Sequence, residues 1–264
     1  MFFSNKVIWV TGASSGIGKA LAIELSQQNC KLILSSRNKE AIELVKKECK
    51  NPMNISVLTL DLENYTSLKQ KAAEAILAFG KIDILINNGG VSQRSLAEHT
   101  QIEVDKRIMD INYLGTVALS KAILPHFIEN KSGQFGVTTS IVGKIGTPLR
   151  SSYAASKHAL HGFFDSLRAE NYKNNIAVTL ICPGFINTNV SKNALTGNGT
   201  PQGKMDMATG NGMSSKHCAK RMLKAIKNKK EEVYIAGAKE KLGVYVKRFF
   251  PTLFSVLVRK MSVT

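Results

Sequence analysis

Seven short apolar runs alternate with longer stretches in which apolar residues recur at helical spacing, and this alternation restricts the fold more than any other feature. Strands are expected near 6–11, 31–36, 55–60, 83–87, 134–140, 176–182 and 232–236. Helices are expected near 16–28, 38–49, 64–79, 101–129, 152–173 and 215–228. The pattern is that of a parallel sheet with helices on both faces, an α/β fold. A chain of 264 residues is long enough for a well-buried core, and no linker, composition break or internal repeat divides it, so one domain is expected over 1–264.

Two local patterns carry chemistry. The first is Thr11-Gly12-Ala13-Ser14-Ser15-Gly16-Ile17-Gly18, directly after the apolar run Val7–Val10 and before a helical pattern. Gly12 permits a tight turn, Gly16 lets backbone approach a pyrophosphate, and Gly18 allows close helix packing. The helix starting near Gly16 would aim its free N–H groups at phosphates, with Ser14, Ser15 and Ile17 lining the site. The second is Tyr153-Ala154-Ala155-Ser156-Lys157, which on a helix places phenol and ammonium on one face. A tyrosine titrates near ~10, and a cation about 4 Å away contributes roughly 4 kcal/mol at an effective dielectric of ~20, about three pKa units at most. Lys157 is therefore expected to depress Tyr153 far enough for proton exchange near neutral pH. Each pattern alone has an ordinary reading, a loop with three glycines or a surface tyrosine near a surface lysine.

Asn87-Asn88-Gly89-Gly90, Asn112, Ser140 and Pro183-Gly184-Phe185-Ile186-Asn187-Thr188 complete the series. In this order the motifs make the chain resemble the classical short-chain dehydrogenase/reductase family over nearly its whole length. The resemblance implies a Rossmann-type doubly wound sheet of about seven strands with ligands at the strands' carboxyl ends. It also implies that Ser140 hydrogen-bonds the substrate carbonyl, Tyr153 exchanges the proton, and Lys157 holds the nicotinamide ribose. Asn112 resembles the residue that kinks its helix and anchors a water leading to Lys157. Met109–Gly115, Tyr153–Glu170, Asn187–Ser191 and Met205-Asp206 resemble more narrowly the dehydrogenase/reductase family member 7 group.

For the cofactor, Ser36 stands where an NAD-selective family member carries an acid, and Arg37 follows with a guanidinium suited to the extra phosphate of NADP; NADP(H) is expected over NAD(H). Asp61 and Leu62 resemble the pair that meets the adenine, although an aspartate capping the next helix is an alternative. Asn88 belongs to the cofactor loop, in which Gly89 replaces the family's alanine and is expected to loosen the chain slightly. Ile186, through its backbone, and Thr188 are expected at the nicotinamide carboxamide. The implied activity interconverts a ketone or aldehyde with its alcohol, on a lipophilic substrate. The alternative is a catalytically silent dinucleotide-binding sensor or membrane-surface scaffold of the same fold.

Other classes find little support. The histidines offer only one helical pair, His158 and His161, with no thiol or carboxylate at ligand spacing, so no metal is expected. There is no G-x-S-x-G elbow. Cys30, Cys49, Cys182 and Cys218 show no C-x-x-C spacing and read as reduced intracellular thiols. The net charge of +17 is spread along the chain without a nucleic-acid motif, so no specific nucleic acid is expected. Residues 187–214, rich in Gly, Asn, Thr and Met, are expected to form a mobile lid over the substrate. The segment near 239–264 is basic and amphipathic with Pro251 inside, which suits either a membrane interface or packing on protein. From residues 1–6 neither a signal peptide nor the N-terminal anchor of related enzymes is expected, and no apolar run approaches ~20 residues. A cytoplasmic or peripheral location and, by resemblance, a homodimer or homotetramer are expected.

Overall fold

The computed structural model describes residues 2–259. Its strands and helices follow in the order β1 (Val7–Thr11), α1 (Gly16–Ser26), β2 (Lys31–Ser35), α2 (Lys39–Glu48), β3 (Ile55–Val57), α3 (Leu68–Phe79) and β4 (Ile84–Asn87). Then come α4 (Ile102–Met109), α5 (Gly115–Glu129), β5 (Gly133–Thr138), α6 (Ser151–Glu170), β6 (Ile176–Pro183), β7 (Ile186–Asn187) and α7 (Met207–Gly210). The chain continues through β8 (Met213–Ser214), α8 (Ser215–Lys227), β9 (Glu232–Ile235), α9 (Ala238–Phe249) and α10 (Pro251–Val258). Seven strands form one parallel sheet in the order β3-β2-β1-β4-β5-β6-β9, the doubly wound arrangement expected. The winding reverses between β1 and β4, and the crevice beyond their carboxyl ends is where such sheets bind ligands.

Alternation along the strands builds two cores. Ile8, Val10, Leu32, Leu34, Ile84 and Ile86 face α1, α2 and α8, packing with Leu21, Leu25, Ile42 and Met222. Trp9, Ile33 and Leu85 face α3, α5 and α6, packing with Phe127, Phe135, Leu160 and Phe164. With both faces covered, β1 is buried at all five positions, which is why parallel strands read as continuous apolar runs. The fully buried Trp9 still satisfies its indole, donating from Nε1 to Ser35 Oγ at 2.9 Å.

The structure departs from the expected boundaries where tertiary contact overrides local pattern. The helix expected at 101–129 is interrupted by a π-helical turn at Asp110–Leu114. The helix expected from 64 begins at Leu68, after a 3-10 turn at Tyr65–Ser67. Segment 187–214 contains α7 and the short parallel pair β7–β8, and backbone hydrogen bonds lace it to the loop after β4: Leu195 N to Ser92 O, Arg94 N to Leu195 O and Gln101 N to Gly197 O. Pro251 restarts the helix at the first position of α10, where a missing N–H costs nothing. Val244 of α9 and Phe254 of α10 pack on Ile141, Ile145, Cys182 and Ala236, so the inner side of this hairpin belongs to the protein core. The final residues of the basic segment, 260–264, lie outside the described residues. Among the described residues no helix is long and apolar enough to cross a membrane.

Candidate active site

A cavity of about 850 Å³ runs along the carboxyl ends of the strands. At one end is the glycine turn. Gly12 and Gly16 have φ of +64° and +53°, the left-handed region that side chains resist. A Cβ at Gly18 would sit 2.1 Å from Gly12 O, so α1 packs directly on the turn. Ser15 precedes α1 with no side-chain cap, leaving first-turn amides without that acceptor beside Gly12, Ser14, Ser15, Gly16 and Ile17, all of which line the cavity. This bare, glycine-flanked cradle fits a pyrophosphate. Asn88 holds it in place: its Nδ2 donates to Thr11 O at 3.2 Å, and the N–H groups of Asn88 and Gly89 both donate to Thr11 Oγ1 at 3.0 Å. At Gly89 a Cβ would meet Leu62 Cδ1 at 2.8 Å, so that side chain packs close against the loop.

Farther along the crevice, Arg37 is exposed and lines the cavity, while the following Asn38 caps α2 by accepting from Ala41 N at 2.8 Å. Asp61 and Leu62 line the wall opposite, and Asp61 Oδ1 accepts from Glu63 N at 3.1 Å in a local turn rather than capping α3. Ile186 and Thr188 close the other side; Thr188 lies against Gly16, where a Cβ would meet its Cγ2 at 3.0 Å.

The structure brings Ser140, Tyr153, Lys157 and Asn112 together. Ser140 lies just past β5, where its Oγ accepts from Val142 N at 3.1 Å, and it lines the cavity together with Tyr153. Lys157 is buried and donates to Thr138 O at 2.9 Å, with its Nζ 5.9 Å from the Tyr153 ring centre. Asn112, fully buried in the π turn, accepts from Val91 N at 2.8 Å and donates to Val91 O at 2.9 Å and Ser156 Oγ at 3.0 Å. Both of its N–H bonds are thereby used, and they pin α6 between Tyr153 and Lys157 to the loop after β4.

The electrostatics correct one expectation. Tyr153 is not depressed by Lys157. Burial pushes the phenol above its ordinary value, and the opposing influences are the Ser140 hydroxyl, then Arg150 and Arg94. Lys157 is itself shifted, brought down to about 8 by burial. Helical spacing correctly put the two side chains on one face but carried no information about how deeply they are buried.

Several residues escaped sequence reasoning because their partners are distant in the chain. Gln93 Oε1 accepts from Ser152 N at 2.9 Å and Tyr153 N at 3.2 Å, capping α6, whose own N-cap residue Arg150 offers no side-chain cap. Arg94 and Asp206 form a buried ion pair, Nε and Nη2 reaching Oδ2 at 2.8 and 2.5 Å. Burial disfavours the Asp206 charge, but hydrogen bonds from Arg94 and Gln202 hold its carboxyl below the ordinary value. Arg150 is buried at the cavity wall, its guanidinium 5.4 Å from the Phe185 ring centre, and burial followed by the nearby Arg94 brings it down to about 10. The Met205-Asp206 resemblance was the one sequence signal that touched this group.

Folding also assembles His161, Cys182 and Glu232, which sequence spacing kept apart, with potential ligand atoms within 4.8 Å of one another. The two ring nitrogens point to different partners, Nδ1 to Glu232 at 3.3 Å and Nε2 to Cys182 at 3.8 Å. Glu232 is also taken by Lys144 at 2.6 Å and by the Tyr234 hydroxyl. The arrangement is a buried polar chain bridging α6, β6 and β9, with the imidazole between its partners rather than beside them around a common centre.

Residues 6–199 match the family model described as short chain dehydrogenase. The chain is 43% identical over 265 aligned residues to a dehydrogenase/reductase SDR family protein 7-like of Anopheles gambiae, covering 98% of this chain and 84% of that protein. It is 41% identical to the human dehydrogenase/reductase SDR family member 7, covering 98% and 78%. A short chain dehydrogenase/reductase of Burkholderia phymatum, solved in complex with NAD, superposes with a TM-score of 0.83 at 20% identity over 96% of both chains. The chain belongs to the short-chain dehydrogenase/reductase family of NAD(P)-dependent oxidoreductases.

Proposed function

We propose that this protein is an NADP(H)-dependent oxidoreductase that interconverts a lipophilic ketone or aldehyde with its alcohol. The observation that carries the reading is the convergence of Ser140, Tyr153 and Lys157 on one cavity wall, with Lys157 buried and its Nζ 5.9 Å from the Tyr153 ring centre. The bound nicotinamide would supply or accept the hydride. Gly12, Ser14, Ser15, Gly16, Ile17 and Gly18 would hold its pyrophosphate, Arg37 the adenosine phosphate, and Asp61, Leu62 and Asn88 the adenosine side of the crevice. Ile186 and Thr188 would orient the carboxamide.

The chemistry assigned to the protein follows from protonation. A phenol raised by burial keeps its proton at neutral pH, which suits Tyr153 to donate as negative charge grows on the substrate oxygen. Ser140 donates to the same oxygen. Lys157, at about 8, carries its charge at pH 7 and would serve the nicotinamide ribose, while Asn112 fixes its helix through Ser156. The apolar part of the cavity, with Val91, Ile145, Leu195, Val246 and Phe254, suits a lipophilic substrate. We take the working form to be a homodimer or homotetramer.

Loss of NADPH absorbance with a panel of ketones, steroids and long-chain aldehydes tests the activity. Tyr153→Phe should retain NADPH binding, read by fluorescence, while turnover falls about a thousandfold. Undiminished turnover in that variant would remove the proton-transfer role, and absence of turnover by the unaltered protein would favour a silent dinucleotide-binding protein.

A further inference from the structure

We infer that the α9–α10 hairpin docks the protein on an anionic lipid surface and admits carbonyl compounds dissolved in that surface to the catalytic cavity. The admission half rests on the oxidoreductase reading above; the docking half does not.

The apolar surface of the protein is unevenly distributed. Of eighteen exposed large hydrophobic residues among the described residues, seven fall on this hairpin: Leu242, Tyr245, Phe249, Phe250, Leu253, Val256 and Leu257, with Phe249 at 68% and Phe250 at 63% exposure. The other eleven are spread over the rest of the described chain, the ordinary condition of a folded surface. The hairpin's inner side is already occupied by Val244 and Phe254 in the core, so the outer residues are not a consequence of poor packing. The hairpin also carries Lys239, Lys241, Lys247 and Arg248, and Arg259 follows it. The one carboxylate, Glu240, is turned to the protein, accepting from Phe185 N at 2.8 Å and Gly237 N at 2.6 Å.

Charge selects the occupant. A second copy docking the same face on itself would bring like cations together across a twofold interface. An anionic bilayer complements them, and aromatic and aliphatic side chains beside lysine and arginine suit its headgroup region. The cavity supplies the second half of the inference. Leu242 and Leu257 both line it and remain 61% and 49% exposed, which makes them part of a mouth. Gly243, Val246 and Phe254 continue inward from them, and Tyr153 lines the same cavity. A carbonyl compound in the lipid phase would therefore move from bilayer to cavity along apolar walls.

The test uses the full chain, a Phe249→Asp/Phe250→Asp variant altered at two exposed positions outside the cavity lining, and vesicles of phosphatidylcholine with or without phosphatidylserine. The unaltered protein should float with phosphatidylserine vesicles, much less with phosphatidylcholine alone, and lose about tenfold in binding at high salt. The variant should stay at the bottom of the gradient. With NADPH, both proteins should reduce water-soluble 4-nitrobenzaldehyde equally, while reduction of hexadecanal dissolved in the vesicles falls about tenfold in the variant. Failure of the unaltered protein to float, or equal flotation of the variant, overturns docking. A lipid-free dimer that the variant converts to monomer, without flotation, makes this face a subunit interface and also overturns it. Flotation with equal hexadecanal reduction by both proteins overturns admission alone. Flotation without reduction of either aldehyde overturns admission together with the oxidoreductase reading and leaves docking standing.

Discussion

Replacing Asp206 by Asn should destabilise the protein by about 3 kcal/mol, near the lower end of what breaking a buried ion pair costs. The side chains of Arg94 and Asp206 are 4% and 1% exposed, so loss of the carboxylate charge leaves a guanidinium with little water to replace it. The loss is held to the lower end because Arg94 Nη1 still donates to Gln93 O at 2.6 Å and Ser92 Oγ at 2.9 Å. An unfolding entropy of ~2.1 cal/mol/K per residue converts that figure into a fall in Tm of about 5 °C for a chain of 264 residues. Urea unfolding at fixed protein concentration, supported by calorimetry, reads both quantities. Arg94→Met/Asp206→Leu removes both charges and should regain at least half of the loss, since the attraction and the desolvation cost disappear together. Acid supplies a third check. Asp206 is held below its unfolded value, so its contribution is full above about pH 4 and is lost as pH falls through the folded value. The single variant should therefore lose stability less steeply than the parent below pH 4. A cost under about 1 kcal/mol for Asp206→Asn, or a double variant as unstable as the single one, would refute the assignment of this pair as a buried electrostatic clasp.

Three further outcomes are expected. Arg37→Met should raise KM for NADPH by about ten- to a hundredfold and leave NADH nearly unchanged, the loss expected for a charge-assisted contact; equal effects on both cofactors would remove Arg37 from the phosphate site. Lys157 is lowered to about 8, so the unfolded chain binds its proton more tightly and stability should rise from pH 8 toward 10.5. Lys157→Met should flatten that rise in pH-dependent urea titrations, and an unaltered slope would contradict the burial argument. Glu240→Ala strips the acceptor from Phe185 N and Gly237 N, and should cost about 2 kcal/mol while weakening dinucleotide binding measured by titration; unchanged binding would detach α9 from the cofactor loop.

What the sequence made legible was local. The strand Val7–Thr11, the turn at Gly12 and the start of α1 are set by neighbours within a dozen residues, and they appear within a residue or two of expectation. Apolar spacing continues through the π turn at Asp110–Leu114, so periodicity did not show it, and only the resemblance at Asn112 pointed to a kink; what separates it from an ordinary turn is Asn112 reaching Val91 and Ser156. Gln93 was hidden more completely. It caps a helix that begins 58 residues later, and an uncharged amide in a loop carries no pattern of its own. Arg94 and Asp206 are 112 positions apart, and His161, Cys182 and Glu232 come from three different elements, so pairing them requires the sheet order, which is itself a tertiary fact. Helical spacing likewise fixed the direction of Tyr153 relative to Lys157 but not the depth of either, and depth decides the sign of the shift.

That sign has a consequence for how the site divides its labour. Had Lys157 alone lowered the phenol, one cation would have to bind the ribose and ready the acid together. Instead its ammonium is directed to Thr138 O, and the charges that favour phenolate at Tyr153 are those of Arg150 and Arg94, which line the same cavity. Burial outweighs them, so the proton stays on Tyr153 in the free protein; yet the same cations would stabilise the negative oxygen that appears as a carbonyl is reduced. An acid that holds its proton until charge develops beside it needs this combination, burial raising the resting pKa and fixed cations favouring the charge once it forms. The Arg94–Asp206 pair then has two connected roles: it ties segment 187–214 to the loop after β4, and it keeps one of those guanidiniums in place near Tyr153. Loosening that segment would relax the field at the tyrosine, so stability of the clasp and protonation of Tyr153 are linked through one side chain.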